Sequence, residues 1–227
     1  MSLAYSALRI VAVPTLRALW TLRAEGVEHL PRTGGAIVAA NHLSVSDHLF
    51  LPAVCPRKVF FMAKAEYFRG TGLKGAFTAK FMRAVGQIPV ERVGGAAARA
   101  GLDQAEELIR SGELFGIFPE GTRSPDGRLY KGKTGAVRLA FATGAPVIPV
   151  GLHGTDKAQP IGAPRPRPGH EITVKFGAPM DFSRFAGKEP DHAVLREATD
   201  EIMARIRELS GQTYVDDYAP KHATLRD

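Results

Sequence analysis

The sequence predicts an α/β fold, with a mixed, mostly parallel central sheet flanked by helices and an N-terminal amphipathic membrane-associating helix. Short apolar runs bounded by Gly, Pro and polar residues alternate with longer helix-like segments, as in layered α/β proteins. The segment 36–40 (AIVAA) is apolar throughout, which is typical of a buried strand. Apolar bulk beside Trp and Arg near the N-terminus predicts the membrane-associating helix.

That first element is predicted as a helix from Tyr5 to Leu22, rich in Leu, Val, Ala and Ile. Arg9 and Arg17 exclude a membrane-spanning helix, and a signal peptide would carry its positive charge ahead of the apolar stretch. Trp20 suits a helix that lies in the membrane interface. An amphipathic helix packed on the protein core fits the same pattern, so both interpretations stay open.

The elements that follow are read from the same alternation of patterns. The predicted strands are Ala36–Ala40, Val59–Met62, Gln87–Val90, Leu114–Phe118, Pro146–Gly151 and Ile172–Phe176. The predicted helices are Asp47–Val54, Gly72–Val85, Gly95–Ser111, Gly132–Thr143 and Asp191–Leu209. Gly112 and Gly144 are predicted helix C-caps. Periodicity is lost after Leu209, so residues 214–227 are predicted to form a tail or a strap over the surface.

Length and composition predict one folded domain, residues 26–227, after the helical segment of residues 1–25. The 227 residues are 44% hydrophobic and 23% charged, a balance that argues against disorder. The net charge of +7 favours a polyanionic partner, which is nucleic acid, an acidic membrane surface or a phosphorylated substrate. Cys55, the one cysteine, excludes an internal disulfide and is expected in the core. We expect a peripheral protein at the cytoplasmic face of the cell membrane.

The most informative segment is 41–47 (NHLSVSD), directly after the first predicted strand. Loops that leave buried strands often carry reacting groups in α/β proteins. On a continuous helix His42 and Asp47 would point about 140° apart and could not pair. They can pair if a serine caps a helix that begins around residues 44–46, with Asp47 in its first turn. A carboxylate on one imidazole nitrogen leaves the other free to accept a proton; an unrelated capping Asp beside a histidine remains the alternative.

The sequence lacks the residues that a metal site or a serine hydrolase would need. A metal site built from His42, Asp47 and His48 would need further ligands, and no second cluster of His or Cys supplies them. A serine hydrolase would need a Gly-x-Ser-x-Gly elbow, which does not occur in the sequence. We therefore expect neither a metal nor a nucleophilic serine.

A second segment, 118–124 (FPEGTRS), ends another predicted strand. A tight, Gly-containing turn there can expose backbone N–H groups and place Arg123 over an anion. Arg92 and Lys64 also follow predicted strands. Several strands that end in cations predict an anion pocket at one edge of the sheet.

Together these segments resemble the four ordered motifs of the glycerolipid acyltransferases, the 1-acyl-sn-glycerol-3-phosphate acyltransferases and their relatives. The motifs are 41–47 (NHLSVSD), 86–92 (GQIPVER), 118–124 (FPEGTRS) and 147–150 (VIPV). They span about half of the chain. Pro89 and Glu91 in the second motif depart from the commoner residues of the family.

The resemblance implies O-acyl transfer from acyl-CoA or acyl carrier protein to the free hydroxyl of lysophosphatidate, giving phosphatidate in phospholipid biosynthesis. It implies that His42 is the general base and that Asp47 steadies the imidazolium. It assigns the acceptor phosphate to Arg92, Arg123 and Lys64, and the oxyanion and the acceptor position to Glu120, Gly121 and Thr122. It implies no cofactor beyond the thioester co-substrate.

Other acceptors fit the same residues: another lysophospholipid, glycerol-3-phosphate or a glycolipid. A different class is a non-catalytic basic protein that binds a membrane surface or nucleic acid. Nucleic-acid binding predicts basic residues interleaved with aromatics, and no such stripe occurs, so we expect no nucleic-acid partner. That class also leaves His42, Asp47 and Glu120 without a role.

Overall fold

The chain folds around a seven-stranded sheet, and this computed structural model describes residues 3–90, 95–185 and 191–220. Its strands are β1 (Thr21–Glu25), β2 (Ala36–Ala40), β3 (Val59–Lys64), β4 (Gln87–Val90), β5 (Leu114–Ile117), β7 (Val147–His153) and β8 (Glu171–Phe176); β6 (Leu129–Tyr130) and β9 (Tyr214–Val215) form a separate pair. The strand order in the sheet is β1-β8-β7-β2-β5-β3-β4. Neighbouring strands are parallel except for the antiparallel pair of β7 and β8, so the predicted mixed, mostly parallel sheet is confirmed.

Strand β2 lies at the centre, between β7 and β5, and every residue of it is buried. Alternate side chains serve the two faces of the sheet, which explains why the run is apolar throughout. Ile37 and Ala39 belong to one core cluster, whereas Ala36, Val38 and Ala40 belong to the other. Because β2 and β5 are parallel, the loops that follow them leave from the same edge of the sheet.

Helices cover both faces of the sheet. They are α1 (Leu3–Leu19), α2 (Asp47–Val54), α3 (Gly72–Ala84), α4 (Gly95–Arg110), α5 (Gly135–Thr143), α6 (Thr155–Ala158) and α7 (His192–Ser210). Residues of α4, α5 and α7 pack in the same cluster as Ile37, and residues of α2 pack in the cluster of Val38. The five predicted helices after the N-terminal one are therefore confirmed; α5 begins three residues later than expected. Cys55 is buried, and burial raises the pKa of its thiol to about 12.

The N-terminal prediction needs a correction. Helix α1 ends at Leu19, and residues 21–25, which the sequence assigned to the helical segment, form the edge strand β1 paired with β8. One face of α1 packs on the core through Leu16, and Trp20, directly after the helix, donates its indole N–H to the carbonyl of Arg167 at 2.7 Å. Ile10 and Val11 are 74% and 67% exposed. Within the described residues, none of the helices combines the length and the hydrophobicity of a membrane-spanning segment.

The chain beyond α7 returns to the loops around β5. Residues 211–217, which we call the C-terminal strap, include β9, and β9 pairs in parallel with β6. Leu129 N–H donates to the Thr213 carbonyl at 3.0 Å, and Lys131 N–H donates to the Asp217 carbonyl at 2.9 Å. The sequence left a tail or a strap open for residues 214–227. These contacts make residues 214–217 a strap, and residues 221–227 lie outside the described part.

Candidate active site

The site forms where the loops after β2 and β5 meet. Ser124, in the loop after β5, donates its main-chain N–H to the carbonyl of His42 at 2.7 Å. The two sequence segments that carry the predicted chemistry, 41–47 and 118–124, are therefore hydrogen-bonded neighbours although about 80 residues separate them.

His42 and Asp47 pair directly: Nδ1 of the imidazole lies 2.8 Å from Oδ2 of the carboxylate. The same Oδ2 accepts the main-chain N–H groups of Leu43 (2.7 Å) and Ser44 (2.9 Å). Asp47 is fully buried and the His42 side chain is 12% exposed. Because an ionised carboxylate can only accept a hydrogen bond, Nδ1 carries the proton in this contact. Nε2 is then the ring nitrogen that can accept a proton.

Local geometry explains this pairing. The helix begins at Asp47, as expected, with Ser46 at the N-cap position. The expected serine cap is wrong in detail, because Ser46 makes no side-chain cap bond. Its hydroxyl donates to Ser44 Oγ at 2.9 Å, and Ser44 Oγ donates to the Gln159 carbonyl at 2.7 Å. Because the Asp47 side chain is not used as a cap, its carboxylate points back toward residues 42–44. There its three hydrogen bonds hold the loop before the helix.

Aromatic rings fix the plane of the imidazole. The His42 ring stacks on Phe118 with centroids 4.0 Å apart and an interplanar angle of 15°. Phe118 in turn stacks on Phe61, and the His48 ring meets His42 edge-on at 5.6 Å. Phe118 stands in the FPEGTRS motif, but its contact with the histidine was not foreseen from the sequence. The stack and the Asp47 bond together hold Nε2 in one direction.

Glu120 supports the loop from the opposite side. Its Oε2 accepts the main-chain N–H of His42 at 2.9 Å, and its Oε1 accepts that of Tyr130 at 3.0 Å. The side chain is 1% exposed. Burial raises the pKa of this carboxyl to about 7, although the two N–H bonds oppose the shift. The structure therefore places Glu120 between two main-chain segments, where it holds the loop of His42.

The turn after Glu120 needs glycine. Gly121 has φ +72°, and an added Cβ would lie 2.7 Å from Nζ of Lys133, whose side chain crosses the turn. Gly121 N–H donates to the Phe118 carbonyl at 2.9 Å, so this N–H and that of His42 are already engaged. Within the described residues, the N–H of Thr122 makes no hydrogen bond.

The cations predicted from the sequence differ in their position and in whether the structure describes them. Arg123 is half-buried in the turn. Lys64 ends β3 with its side chain outside the described residues, and Arg92 lies outside them altogether. Lys131 pairs with Asp216 at 2.8 Å, so it neutralises a protein carboxylate. Lys133 has no carboxylate partner within the part of the chain that the structure describes, and the sequence did not single it out as a site residue.

A second set of contacts, which the sequence did not predict, holds the residue before His42. Asn41 is fully buried. Its Oδ1 accepts Leu152 N–H at 2.7 Å, and its Nδ2 donates to the Leu152 carbonyl (3.1 Å) and to Oε1 of Gln212 (2.8 Å). The position of Asn41 in the motif is a signal of importance, but its partners come from distant parts of the chain.

The arrangement offers an oriented imidazole base, a nearby N–H donor and cations at one turn. Such a site can deprotonate a hydroxyl and stabilise a developing oxyanion. Among the described residues, no group of three or more His, Cys, Asp or Glu side chains is placed to hold a metal ion.

Comparison with known proteins gives consistent matches. The sequence profile of the family described as "Acyltransferase" matches residues 21–153, which include both loops of the site. The crystal structure of the 1-acyl-sn-glycerophosphate acyltransferase from Thermotoga maritima superposes with a TM-score of 0.69 and 28% identity. That similarity covers 90% of this chain and 79% of the other.

Curated relatives carry related names. A chloroplastic 1-acyl-sn-glycerol-3-phosphate acyltransferase of Brassica napus is 34% identical over 140 residues, which are 61% of this chain. The 1-acyl-sn-glycerol-3-phosphate acyltransferase of Bacillus subtilis (strain 168) is 29% identical over 195 residues, 82% of this chain and 86% of that protein. In the Brassica napus and Arabidopsis thaliana relatives the match spans 39% of the protein's length.

Proposed function

The chain belongs to the Acyltransferase family, as its four motifs predicted, and we propose that it transfers a fatty acyl group from a thioester to the free hydroxyl of lysophosphatidate. The donor is acyl-CoA or acyl carrier protein, and the product is phosphatidate. The observation that carries this proposal is the buried His42–Asp47 pair, which leaves Nε2 of His42 as a base beside the turn after Glu120. The names of the relatives support lysophosphatidate as the acceptor.

In this mechanism Nε2 of His42 takes the proton of the acceptor hydroxyl as its oxygen attacks the thioester carbonyl. Asp47, fully buried against Nδ1, stabilises the imidazolium that forms. When the tetrahedral intermediate collapses, the C–S bond breaks and the imidazolium returns its proton to the departing sulfur. The acceptor is itself the nucleophile, so no acyl-enzyme forms. General-base help of this kind is worth about 10²–10⁴ in rate.

The turn after Glu120 has two roles in the proposal. The N–H of Thr122 is the candidate oxyanion donor, since the N–H groups of His42 and Gly121 already have acceptors. Arg123 and Lys133, with Arg92 and Lys64, bind the acceptor phosphate. Glu120 contributes by placing the His42 main chain.

Membrane contact is part of the proposal, because both the acceptor and the product are lipids. The exposed Ile10 and Val11 of α1 lie on the side of the helix away from its packed residue Leu16. We expect this side to rest in the membrane interface at the cytoplasmic face, as a peripheral contact.

The test is an assay of acceptor-dependent thiol release. Wild-type protein is incubated with palmitoyl-CoA, with and without lysophosphatidate, and both free thiol and phosphatidate are followed. The proposal predicts that the two products appear in equal amounts and only with acceptor. Thiol release without acceptor would instead identify a thioesterase, and a panel of lysolipids and glycerol-3-phosphate ranks the alternative acceptors.

The phosphate assignment has its own test. Lys133→Ala should raise the acceptor KM about tenfold or more and leave the thioester KM unchanged, because a cation that pairs with a phosphate acts on acceptor binding. Lys131→Ala is the matched control, since its ammonium is already paired with Asp216. Equal acceptor KM values in the two variants would contradict the assignment.

A further inference from the structure

We infer that Gln212, in the C-terminal strap, is a positioning residue for His42 and acts through Asn41. The inference rests on the proposed function, since it assigns Gln212 a role in the same reaction. Gln212 touches neither of the reacting side chains. Its contacts join the two loops that build the site.

The first contact is with the residue that precedes the base. Asn41 Nδ2 donates to Oε1 of Gln212 at 2.8 Å, and its other two bonds go to the main chain of Leu152. Leu152 lies in β7, so two bonds fix Asn41 to the sheet and the third fixes it to the strap. Because Asn41 and His42 share a planar peptide unit, a displacement of Asn41 after the loss of one of these bonds also displaces the main chain that carries the imidazole.

The second contact is with the loop after β5. Gln212 Nε2 donates to the carbonyl of Gly127 at 2.7 Å. Three residues earlier in that loop, Ser124 donates its N–H to the His42 carbonyl at 2.7 Å. One side chain thus connects the residue before His42 with the loop that bonds the main chain of His42.

The strap has other attachments, so Gln212 is not needed merely to hold it. Thr213 and Asp217 accept main-chain bonds from Leu129 and Lys131, and Asp216 pairs with the Lys131 ammonium. Fixing a long, half-exposed glutamine side chain in one conformation costs side-chain rotamer entropy. Other bonds already hold the strap in place. We therefore assign the ordered Gln212 side chain to fixing the two residues that it joins, Asn41 and Gly127.

The same strap supports His42 by a second route. Strand β9 pairs with β6, and the N–H of Tyr130 in β6 donates to Glu120, which accepts the His42 N–H. The main chain of His42 is therefore fixed from the strap on both sides, through Asn41 and through Glu120.

Two substitutions at one position separate the contacts. Gln212→Met keeps the length of the side chain and removes both hydrogen bonds. Gln212→Glu keeps the oxygen that accepts from Asn41. It replaces the donor to the Gly127 carbonyl by a second oxygen, so that hydrogen bond is lost. Asp216→Asn is the matched control, because it weakens the ion pair of the strap and leaves Gln212 intact.

We expect Gln212→Met to lower kcat about tenfold, with both KM values within about twofold of wild type, because a misplaced base slows the chemical step without changing substrate binding. Gln212→Glu should retain kcat within about threefold, and Asp216→Asn should match wild type. A merely structural role would lower the melting temperature of Gln212→Met without this split between kcat and KM. Unchanged kcat in Gln212→Met, or equal loss in Gln212→Glu, would overturn the inference.

A double-mutant comparison tests the route. If Gln212 acts through Asn41, adding Gln212→Met to Asn41→Ala should lower kcat no further; losses that multiply would contradict it. The NMR signal of the His42 imidazole Cε1–H gives a readout that needs no activity. The chemical shift of this signal should change in Gln212→Met and should match wild type in Asp216→Asn. An unchanged chemical shift in Gln212→Met overturns the inference. A wild-type protein that transfers no acyl group would refute the proposed function, and this signal would still decide the role of Gln212.

Discussion

Replacement of Glu120 by glutamine should change how the stability of the protein depends on pH. The carboxyl is 1% exposed, and burial raises its pKa from 4.5 to about 7. Below pH 4.5 the group is protonated in both the folded and the unfolded state. Between pH 4.5 and 7 the unfolded chain ionises while the folded protein holds its proton, so the free energy of unfolding falls as the pH rises. Above pH 7 both states are ionised and the effect is complete.

The magnitude follows from the size of the shift. A change of one pKa unit corresponds to about 1.4 kcal/mol, so a shift from 4.5 to about 7 corresponds to about 3 kcal/mol. Glutamine does not titrate. The difference in unfolding free energy between wild type and Glu120→Gln should therefore fall by about 3 kcal/mol from pH 4.5 to 7.5. The main-chain N–H that the amide leaves without an acceptor lowers the stability of the variant by an amount that does not depend on pH.

The assay is urea unfolding followed by the fluorescence of Trp20, the one tryptophan, at half-unit steps from pH 4.5 to 8. Asp181→Asn serves as the control. Main-chain and side-chain hydrogen bonds from Ser183 lower the pKa of Asp181 below its usual 3.8, so its contribution is present above pH 3.8 and constant in this window. If the difference between wild type and Glu120→Gln has the same value at pH 4.5 and 7.5, the reasoning from burial is refuted.

Two further substitutions test the geometry of the site. Asp47→Asn should lower kcat about 10²-fold or more, because the amide no longer stabilises the His42 imidazolium; a kcat within about threefold of wild type would exclude this role for the carboxylate. Gly121→Ala should lower the melting temperature by about 2–8 °C, since φ +72° costs a residue with a Cβ about 1–2 kcal/mol, and should also raise the acceptor KM by displacing Lys133. Gly162→Ala, at φ +89° with nothing near its Cβ, should share the thermal loss and keep the KM; a raised KM there as well would refute the Lys133 explanation.

Local sequence patterns predicted the central part of the fold. The run 36–40 identified a buried strand because a strand that is buried on both faces has apolar residues at every position. This pattern can be recognised from the local sequence alone. The pairing of His42 with Asp47 was also accessible, since five residues of chain and the start of a helix determine whether the side chains can meet. The order and spacing of the motifs supplied the family.

Elements defined by distant partners were missed. Strand β1 has the polar sequence TLRAE and is mostly exposed, so it continues the helical pattern of α1 in sequence and becomes a strand only through pairing with β8. Strands β6 and β9 have two residues each, too few for a periodic signal.

The same limit applies within the site. Glu120 was assigned to the oxyanion and the acceptor because a motif gives residue types and not burial; the structure instead surrounds it with the N–H groups of His42 and Tyr130. The bond between Asn41 and Gln212 joins residues 171 positions apart, and nothing local to either residue indicates the other.

The measurement that tests the account most directly is a single-turnover assay of phosphatidate formation with wild type and His42→Ala, at saturating palmitoyl-CoA and lysophosphatidate. His170→Ala controls for the loss of an imidazole elsewhere. With Nε2 of His42 as the general base, the rate of the variant should fall about 10²–10⁴-fold while His170→Ala matches wild type. Phosphatidate formation by His42→Ala at the wild-type rate would contradict the account.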